Sequence, residues 1–173
     1  MENRDKLEAL KLALTNEEKE RDFYLAHAKR TRNELGRQMF ESIAADENEH
    51  YQRLSALHAK LEERSKWPDG FSIDMPTRVT EALGRLVKEA TDTPESDDDD
   101  VTAVKTAIEF EAKGESFYEK LASKAKDKAE RRFFTLLSSM EREHRLSLED
   151  TLEYFTDPSE WLERKGGRHL DGA

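Results

Sequence analysis

The sequence predicts an all-α protein in which four long helices form two antiparallel hairpins joined by a long crossover. Three observations support this prediction. Charged residues make up 39% of the 173 residues, with only seven glycines and four prolines, which is typical of long amphipathic helices with solvated outer faces. Apolar residues recur at steps of three and four in four segments. The second pair of segments repeats the first pair at a constant offset.

The four helices are predicted in two pairs, each with a short link. The first helix runs from about residue 5 to 31 and the second from about 33 to 64, with little more than "KRTRN" between them. The third begins after "ESDDDD", whose acidic run we interpret as an N-cap and a partner for the helix dipole. The fourth runs from about 128 to 155, after the link "SKAKDK". Because short links make antiparallel neighbours, each pair forms a hairpin.

The long segment between the hairpins is predicted to be a crossover within one domain. It holds three of the four prolines, and its stretch "TRVTEALGRLVKEA" predicts a short additional helix. We therefore divide the single domain, residues 1–173, into hairpin one (5–64), a crossover (65–100), hairpin two (101–155) and a tail (156–173).

An internal repeat relates the two hairpins. Over residues 10–61, a shift of 94 residues without a gap makes 13 of the 52 aligned pairs identical. The identical pairs include the polar residues that interrupt the apolar stripes: Glu17 with Glu111, Tyr24 with Tyr118, Glu47 with Glu141 and His50 with His144. Two copies of one hairpin would pack about a pseudo-twofold axis, which brings both sets of polar residues to the centre of the bundle.

These polar residues match the ligand set of a dinuclear metal site. Each Glu-x-x-His pair, Glu47 with His50 and its repeat, lies on one helical face. One glutamate from each of two helices and one Glu-x-x-His pair from each of the others is the set found in dinuclear helical bundles. The candidate metal ligands are therefore Glu17, Glu47, His50, Glu111, Glu141 and His144. Four buried glutamates without counter-charge would repel one another and take up protons, whereas two divalent cations neutralise them.

We expect Glu47 and Glu141 to bridge two metals roughly 3.5–4 Å apart. Glu17 and Glu111 would be terminal ligands. Carboxylate oxygens and imidazole nitrogens suit iron or manganese, and zinc can compete, so the expected cofactor is two metal ions with iron at both positions as the first choice. A bundle that keeps the pattern without metal remains an alternative, because a single Glu-x-x-His in a glutamate-rich helix is weak evidence.

Other polar residues near the stripes have two interpretations each. Tyr24 and Tyr118 lie two turns beyond Glu17 and Glu111 on the same helical faces. Each tyrosine either packs in the core or donates a hydrogen bond to a ligand carboxylate. No residue is assigned a catalytic role. Glu20, one turn after Glu17, is an alternative extra ligand.

Composition excludes several classes of protein. The chain has no cysteine, so thiol chemistry, iron–sulfur clusters and disulfides are ruled out for it. A net charge of −10 argues against non-specific nucleic-acid binding and against docking on anionic membranes. The charged start "MENRDKLEAL" and the lack of a long apolar run indicate no signal peptide and no membrane span, so a cytoplasmic location is expected.

The motifs "EKERDFY" and "EAKGESFY", with "ENEH" and "EREH" downstream of them, resemble the rubrerythrin branch of the ferritin-like superfamily. The resemblance covers both hairpins and all six ligand positions. It implies a ferritin-like four-helix bundle with a non-haem di-iron centre that reduces hydrogen peroxide with electrons from a separate or fused donor. Without cysteines for a rubredoxin domain, the chain resembles stand-alone members, and the donor is expected to be another protein, rubredoxin-like or not.

Gly114 departs from the family pattern, which has a further glutamate one turn after the ligand at Glu111. Glu20 is the alternative source of that carboxylate from the pseudo-symmetric side. We expect a side chain at position 114 to project toward the metal nearer His144 or its access route, and Gly114→Glu to be at least as stable as the native chain.

The sequence therefore predicts a dinuclear metal oxidoreductase that reduces hydrogen peroxide or dioxygen with an external electron donor. Two alternatives stay open. One is ferrous-iron oxidation with iron storage, and the other is a metal-stabilised bundle that acts through protein contacts. A homodimer is the expected assembly.

Overall fold

The structure, a computed structural model, describes residues 2–64, 66–68 and 98–167, with the backbone alone for 165–167. These residues form helices and no β-strand, which confirms the predicted all-α bundle. The helices are α1 (Asn3–Arg30), α2 (Glu34–Arg64), α3 (Asp98–Lys124), α4 (Lys128–Thr156) and α5 (Pro158–Gly167). None of these described helices is both long and apolar enough to cross a membrane. The short helix predicted within residues 77–90 lies outside the described residues.

The four long helices pack as two hairpins, α1 along α2 and α3 along α4. The second helix of each hairpin begins at a polar cap, and the 94-residue shift pairs the two caps. Asn33 Oδ1 accepts a hydrogen bond from Gly36 N at 2.8 Å, and Asp127 Oδ1 accepts one from Ala129 N at 2.7 Å. Such side-chain oxygens satisfy amide groups that the first helical turn leaves unpaired. The caps Asn33 and Asp127 therefore fix where α2 and α4 begin.

Helix α3 begins at Asp98, three residues before the predicted start of hairpin two. Asp98, Asp99 and Asp100 lie in its first turn, where the helix dipole favours negative charge. Arg30, at the end of α1, forms ion pairs with Asp99 at 3.6 Å and with Asp100 at 2.7 Å. The acidic run thus extends α3 and also ties hairpin two to hairpin one.

A fifth helix occupies most of the segment that the sequence analysis assigned to the tail. Pro158 is its first residue, where a missing amide proton does no harm, and Asp157 Oδ1 accepts a hydrogen bond from Glu160 N at 3.1 Å. The side chain of Trp161 is fully buried, and its ring lies 4.8 Å from that of Tyr154, centroid to centroid. Burial of this indole fixes α5 against the end of α4.

The apolar core has two parts with a band of buried polar residues between them. One cluster contains Tyr24, Phe40 and Trp161, and the other contains Leu54 and Phe134. Each long helix passes from one cluster to the other, and its buried glutamate or histidine residues lie between the two. The polar band is therefore enclosed by apolar packing on both sides, which keeps its effective dielectric constant low.

Candidate metal centre

The structure brings all six predicted ligands together in the polar band. Glu17 is 1% exposed, and the other five are fully buried. All four long helices contribute: α1 supplies Glu17, α2 supplies Glu47 and His50, α3 supplies Glu111, and α4 supplies Glu141 and His144. Burial of so many ionisable groups is unfavourable unless each charge finds a partner.

Two groups of donor atoms can each hold a metal ion. The groups are Glu17, Glu47, His50 and Glu141, and Glu47, Glu111 and His144, with the donor atoms of each group within 4.8 Å of one another. Glu47 belongs to both. Its Oε2 lies 3.0 Å from His50 Nδ1, and its Oε1 lies 3.0 Å from His144 Nδ1. The two oxygens of one carboxylate thus face the two groups, as a bridging ligand requires.

The remaining distances connect each histidine to its own carboxylates. His50 Nδ1 lies 3.1 Å from Glu17 Oε2 and 3.5 Å from Glu141 Oε1. His144 Nδ1 lies 3.4 Å from Glu111 Oε2. Since the donor atoms of Glu141 fall in the His50 group alone, its bridging role stays a prediction.

The buried donor atoms fit a pair of cations. Within the described residues, Glu47 Oε1, Glu111 Oε2, His144 Nδ1 and both carboxylate oxygens of Glu141 have no hydrogen-bond partner. His144 Nδ1 and Glu47 Oε1 are only 3.0 Å apart, yet they are not aligned as a hydrogen bond. Buried polar atoms normally find partners. Oxygen and nitrogen atoms that converge without bonding one another are suitable ligands for iron, manganese or zinc once they lose their protons.

Without metal, the centre holds protons instead. Burial raises the pKa of Glu17 to about 8, although the charge of His50 opposes this shift. Burial, with the charges of Glu47 and Glu111, raises the pKa of Glu141 well above its usual value. Burial acts to lower the pKa of His50, but the carboxylates of Glu47 and Glu17 outweigh it and raise that pKa to about 10. Metal binding must therefore displace protons from the centre.

Two tyrosines hold carboxylates of candidate ligands in the opposite hairpin. The hydroxyl of Tyr24 donates a hydrogen bond to Glu111 Oε1, and that of Tyr118 donates one to Glu17 Oε1. Burial and the nearby carboxylates raise the pKa of both hydroxyls well above the usual value, so they remain protonated donors. In each glutamate the other oxygen, Oε2, faces the histidine of its group. The tyrosines thus fix which oxygen of each terminal carboxylate points into the centre.

A cavity of about 220 Å³ lies beside the centre, between α1 and α3. Its lining consists of three pairs related by the 94-residue shift: Asn16 and Phe110, Lys19 and Lys113, Glu20 and Gly114. Burial and the charges of Glu47, Glu111 and Glu17 raise the pKa of Glu20 to about 10. Glu20 belongs to neither group of donor atoms, but its carboxyl lies close enough to interact electrostatically with the centre.

Gly114 faces Glu141 and lines the cavity beside the centre. A Cβ atom at position 114 would lie 2.5 Å from Glu141 Oε2 and 3.1 Å from Glu141 Cδ. A side chain at this position would therefore meet the carboxylate of Glu141, whose donor atoms group with His50. Glycine at this position leaves the space that the Glu141 carboxylate occupies.

Asp46 contacts the centre and was missed by the sequence analysis. Its carboxylate is buried, and Asp46 Oδ2 lies 3.3 Å from His144 Nε2. The search for repeated polar residues could not find it, because the shift pairs Asp46 with Met140. An acidic residue directly before a ligand glutamate, at a position that is apolar in the other copy, was the available signal.

The fold and the site define a helical bundle with a buried glutamate and histidine cluster suited to two metal ions. The sequence matches the rubrerythrin family over residues 8–72 and 103–168, which cover most of both hairpins, and the chain belongs to this family. No curated protein and no solved structure gave a significant match to the chain. Family membership suggests a di-iron protein, in agreement with the resemblance and with the dinuclear geometry of the cluster.

Proposed function

We propose that the protein is a non-haem di-iron oxidoreductase that reduces hydrogen peroxide or dioxygen with electrons from an external donor. The observation that carries the proposal is the pair of buried donor groups that share Glu47, in a chain of the rubrerythrin family. A bound iron pair would supply redox chemistry, by giving two electrons to an O–O bond and being reduced again.

Each of the six ligands has a role in this proposal. Glu47 and Glu141 would bridge the two ions, Glu17 and Glu111 would be terminal ligands, and each histidine would supply its Nδ1 atom. Four carboxylates balance the charge of two divalent cations, so the centre is neutral when the metals are reduced. Tyr24 and Tyr118 keep the terminal carboxylates oriented before metal binds, because each donates to the oxygen that faces away from the histidine.

The cavity between α1 and α3 is the proposed approach for the oxidant. It has room for small molecules, and the carboxylate of Glu141 lies behind Gly114 in its wall. Lys19 and Lys113 are exposed at the same wall, while the buried polar band is otherwise enclosed by the two apolar clusters. If the oxidant enters only from this side, the apolar packing on the other sides still keeps bulk water away from the remaining ligands.

The test is a peroxide titration of protein loaded anaerobically with two ferrous ions per chain. We expect one equivalent of hydrogen peroxide to oxidise both irons rapidly, and repeated turnover when reduced rubredoxin is added as the probe donor. Glu47→Gln should abolish the fast phase, whereas Glu49→Gln, on the same helix but paired with Arg53, should keep it. Oxidation of the native chain that is only as slow as that of Glu47→Gln would contradict the proposal. Accumulation of many ferric ions per chain would also contradict it and would favour iron storage.

A further inference from the structure

The two histidines of the centre have different surroundings, although the repeat makes them equivalent in sequence. His144 Nε2 lies 3.3 Å from the carboxylate of Asp46. His50 Nε2 is buried and has no hydrogen-bond partner within the described residues. The residue that the shift pairs with Asp46 is Met140, which is buried in an apolar cluster. The pseudo-symmetry of the centre is therefore broken behind the histidine rings.

Adjacent residues of α2 contact both nitrogens of the His144 ring. Glu47 Oε1 lies 3.0 Å from Nδ1, and Asp46 Oδ2 lies 3.3 Å from Nε2. A neutral imidazole carries one N–H and one lone pair. When the ring gives up a proton to bind a metal ion, a carboxylate at Nε2 keeps the N–H on that nitrogen and frees the lone pair of Nδ1, which faces Glu47 and Glu111. The ring is thus oriented as a ligand before a metal ion arrives.

A carboxylate behind a ligand histidine also increases the basicity of the nitrogen that binds the metal, and loss of such a partner typically lowers metal affinity about 10- to 100-fold. Within the described part of the chain, no carboxylate supports His50 Nε2 in this way. If Glu141 bridges, each metal position has the same donors, namely one terminal glutamate, one histidine and two bridging carboxylates. Asp46 then distinguishes the two metal positions chemically, because it acts on one of them through the ligand His144.

We propose that Asp46 is a positioning residue that makes the two metal positions unequal, so that the position at His144 fills first and the position at His50 fills second. The inference rests on the dinuclear site of the proposed function. If Glu141 does not bridge, ligand number alone would favour the opposite order, since the His50 group contains four donor residues and the His144 group three. The order of filling therefore separates the two explanations.

The first test locates a single equivalent of metal in the native chain. Metal-free protein is crystallised with one equivalent of Zn²⁺, and anomalous scattering gives the occupancy at each position. We expect density at the position bounded by Glu47, Glu111 and His144. Equal occupancy, or density at His50, would overturn the inference and leave the dinuclear site intact. Zinc that binds elsewhere would overturn both.

The second test removes the charge of Asp46 and keeps its size. Calorimetric titration of the full chain with Zn²⁺ should show two steps, and Asp46→Asn should weaken the first step about 10- to 100-fold and change the second little. Glu49→Gln is the matched control on α2, because its carboxylate pairs with Arg53. Nitrogen-15 spectra of the zinc-loaded protein should show a hydrogen-bonded Nε2–H at His144 that Asp46→Asn alters. Two unchanged steps in Asp46→Asn would refute the proposal, and if that variant does not fold, the crystallographic test on the native chain decides.

Discussion

The hydroxyl of Tyr118, in hairpin two, donates a hydrogen bond to the carboxylate of Glu17, in hairpin one. The equivalent residues of the repeat make the reciprocal contact, in which the hydroxyl of Tyr24, in hairpin one, donates a hydrogen bond to Glu111, in hairpin two. The two hairpins are therefore joined through the same carboxylates that we propose as terminal metal ligands. Packing of the hairpins and assembly of the centre are two results of one set of contacts.

Tyr118→Phe should weaken both the fold and the centre. The variant leaves Glu17 Oε1 buried without its donor, which should lower the free energy of unfolding by about 1–3 kcal/mol in a urea titration of metal-free protein. Metal affinity should fall about 10- to 100-fold, since the carboxylate loses its orientation. Tyr51→Phe is the control, because Tyr51 is half-buried beside Arg21 and outside the cluster. Equal effects of both substitutions would show that the hydroxyl of Tyr118 has no special role.

Stability of the metal-free protein should decrease as pH rises. The pKa of Glu17 is raised to about 8, so its protonated form stabilises the fold below the usual carboxyl range, and this contribution is lost as pH rises to about 8. The pKa of His50 is raised to about 10, so its contribution is complete below about pH 6.5 and is lost as pH rises through about 10. The two losses have the same sign: that of Glu17 falls between about pH 4.5 and 8 and that of His50 between about pH 6.5 and 10.

Metal-loaded protein should lack most of this decline, because bound cations replace the protons. The difference in melting temperature between metal-loaded and metal-free protein should be small near about pH 5 and largest near about pH 9. Differential scanning calorimetry at three or four pH values measures it. If metal-loaded and metal-free protein melt at the same temperature at every pH, then metal ions do not replace protons on buried ligands.

Gly114→Ala should disturb the metal position at His50. Replacing a mid-helix glycine gains about 1 kcal/mol of helix propensity, but the new Cβ lies 2.5 Å from Glu141 Oε2 and forces that carboxylate to move. We expect weaker binding of the second metal ion in a calorimetric titration. Gly114→Glu should show the same loss, so the stability gain expected from the sequence for this variant no longer follows. Lys113→Ala, which lines the same cavity without that contact, should leave both affinities unchanged.

The long helices and the six polar residues that meet in the polar band could be predicted because their signals are periodic. A stripe of apolar residues on a charged helix is buried in almost any packing, and the repeat marks polar residues such as Glu47 and Glu141 that a single stripe cannot distinguish from surface glutamates. These predictions depended on spacing within one helix or on the shift between copies. Neither requires knowledge of how neighbouring helices are rotated.

Features that depend on contacts between helices could not be predicted. Asp46 lies beside the stripe of α2 and has no polar counterpart in the repeat, so only the position of His144 on α4 reveals its role. The orientation of Gly114 depends on where the Glu141 carboxylate lies. Helix α5 is short and outside the repeat, and the contact of Trp161 with Tyr154 holds it in place.

The most direct test of the account is the metal content of the native chain and of variants at Glu47 and Glu141. Protein produced in iron-rich medium and purified without oxygen should contain close to two metal ions per chain by plasma emission spectrometry. Glu47→Ala should lose both, because Glu47 faces both donor groups, and circular dichroism would establish that the helices persist. Full metal content in the Glu47→Ala, Glu141→Ala double variant would show that the metal site lies elsewhere in the protein.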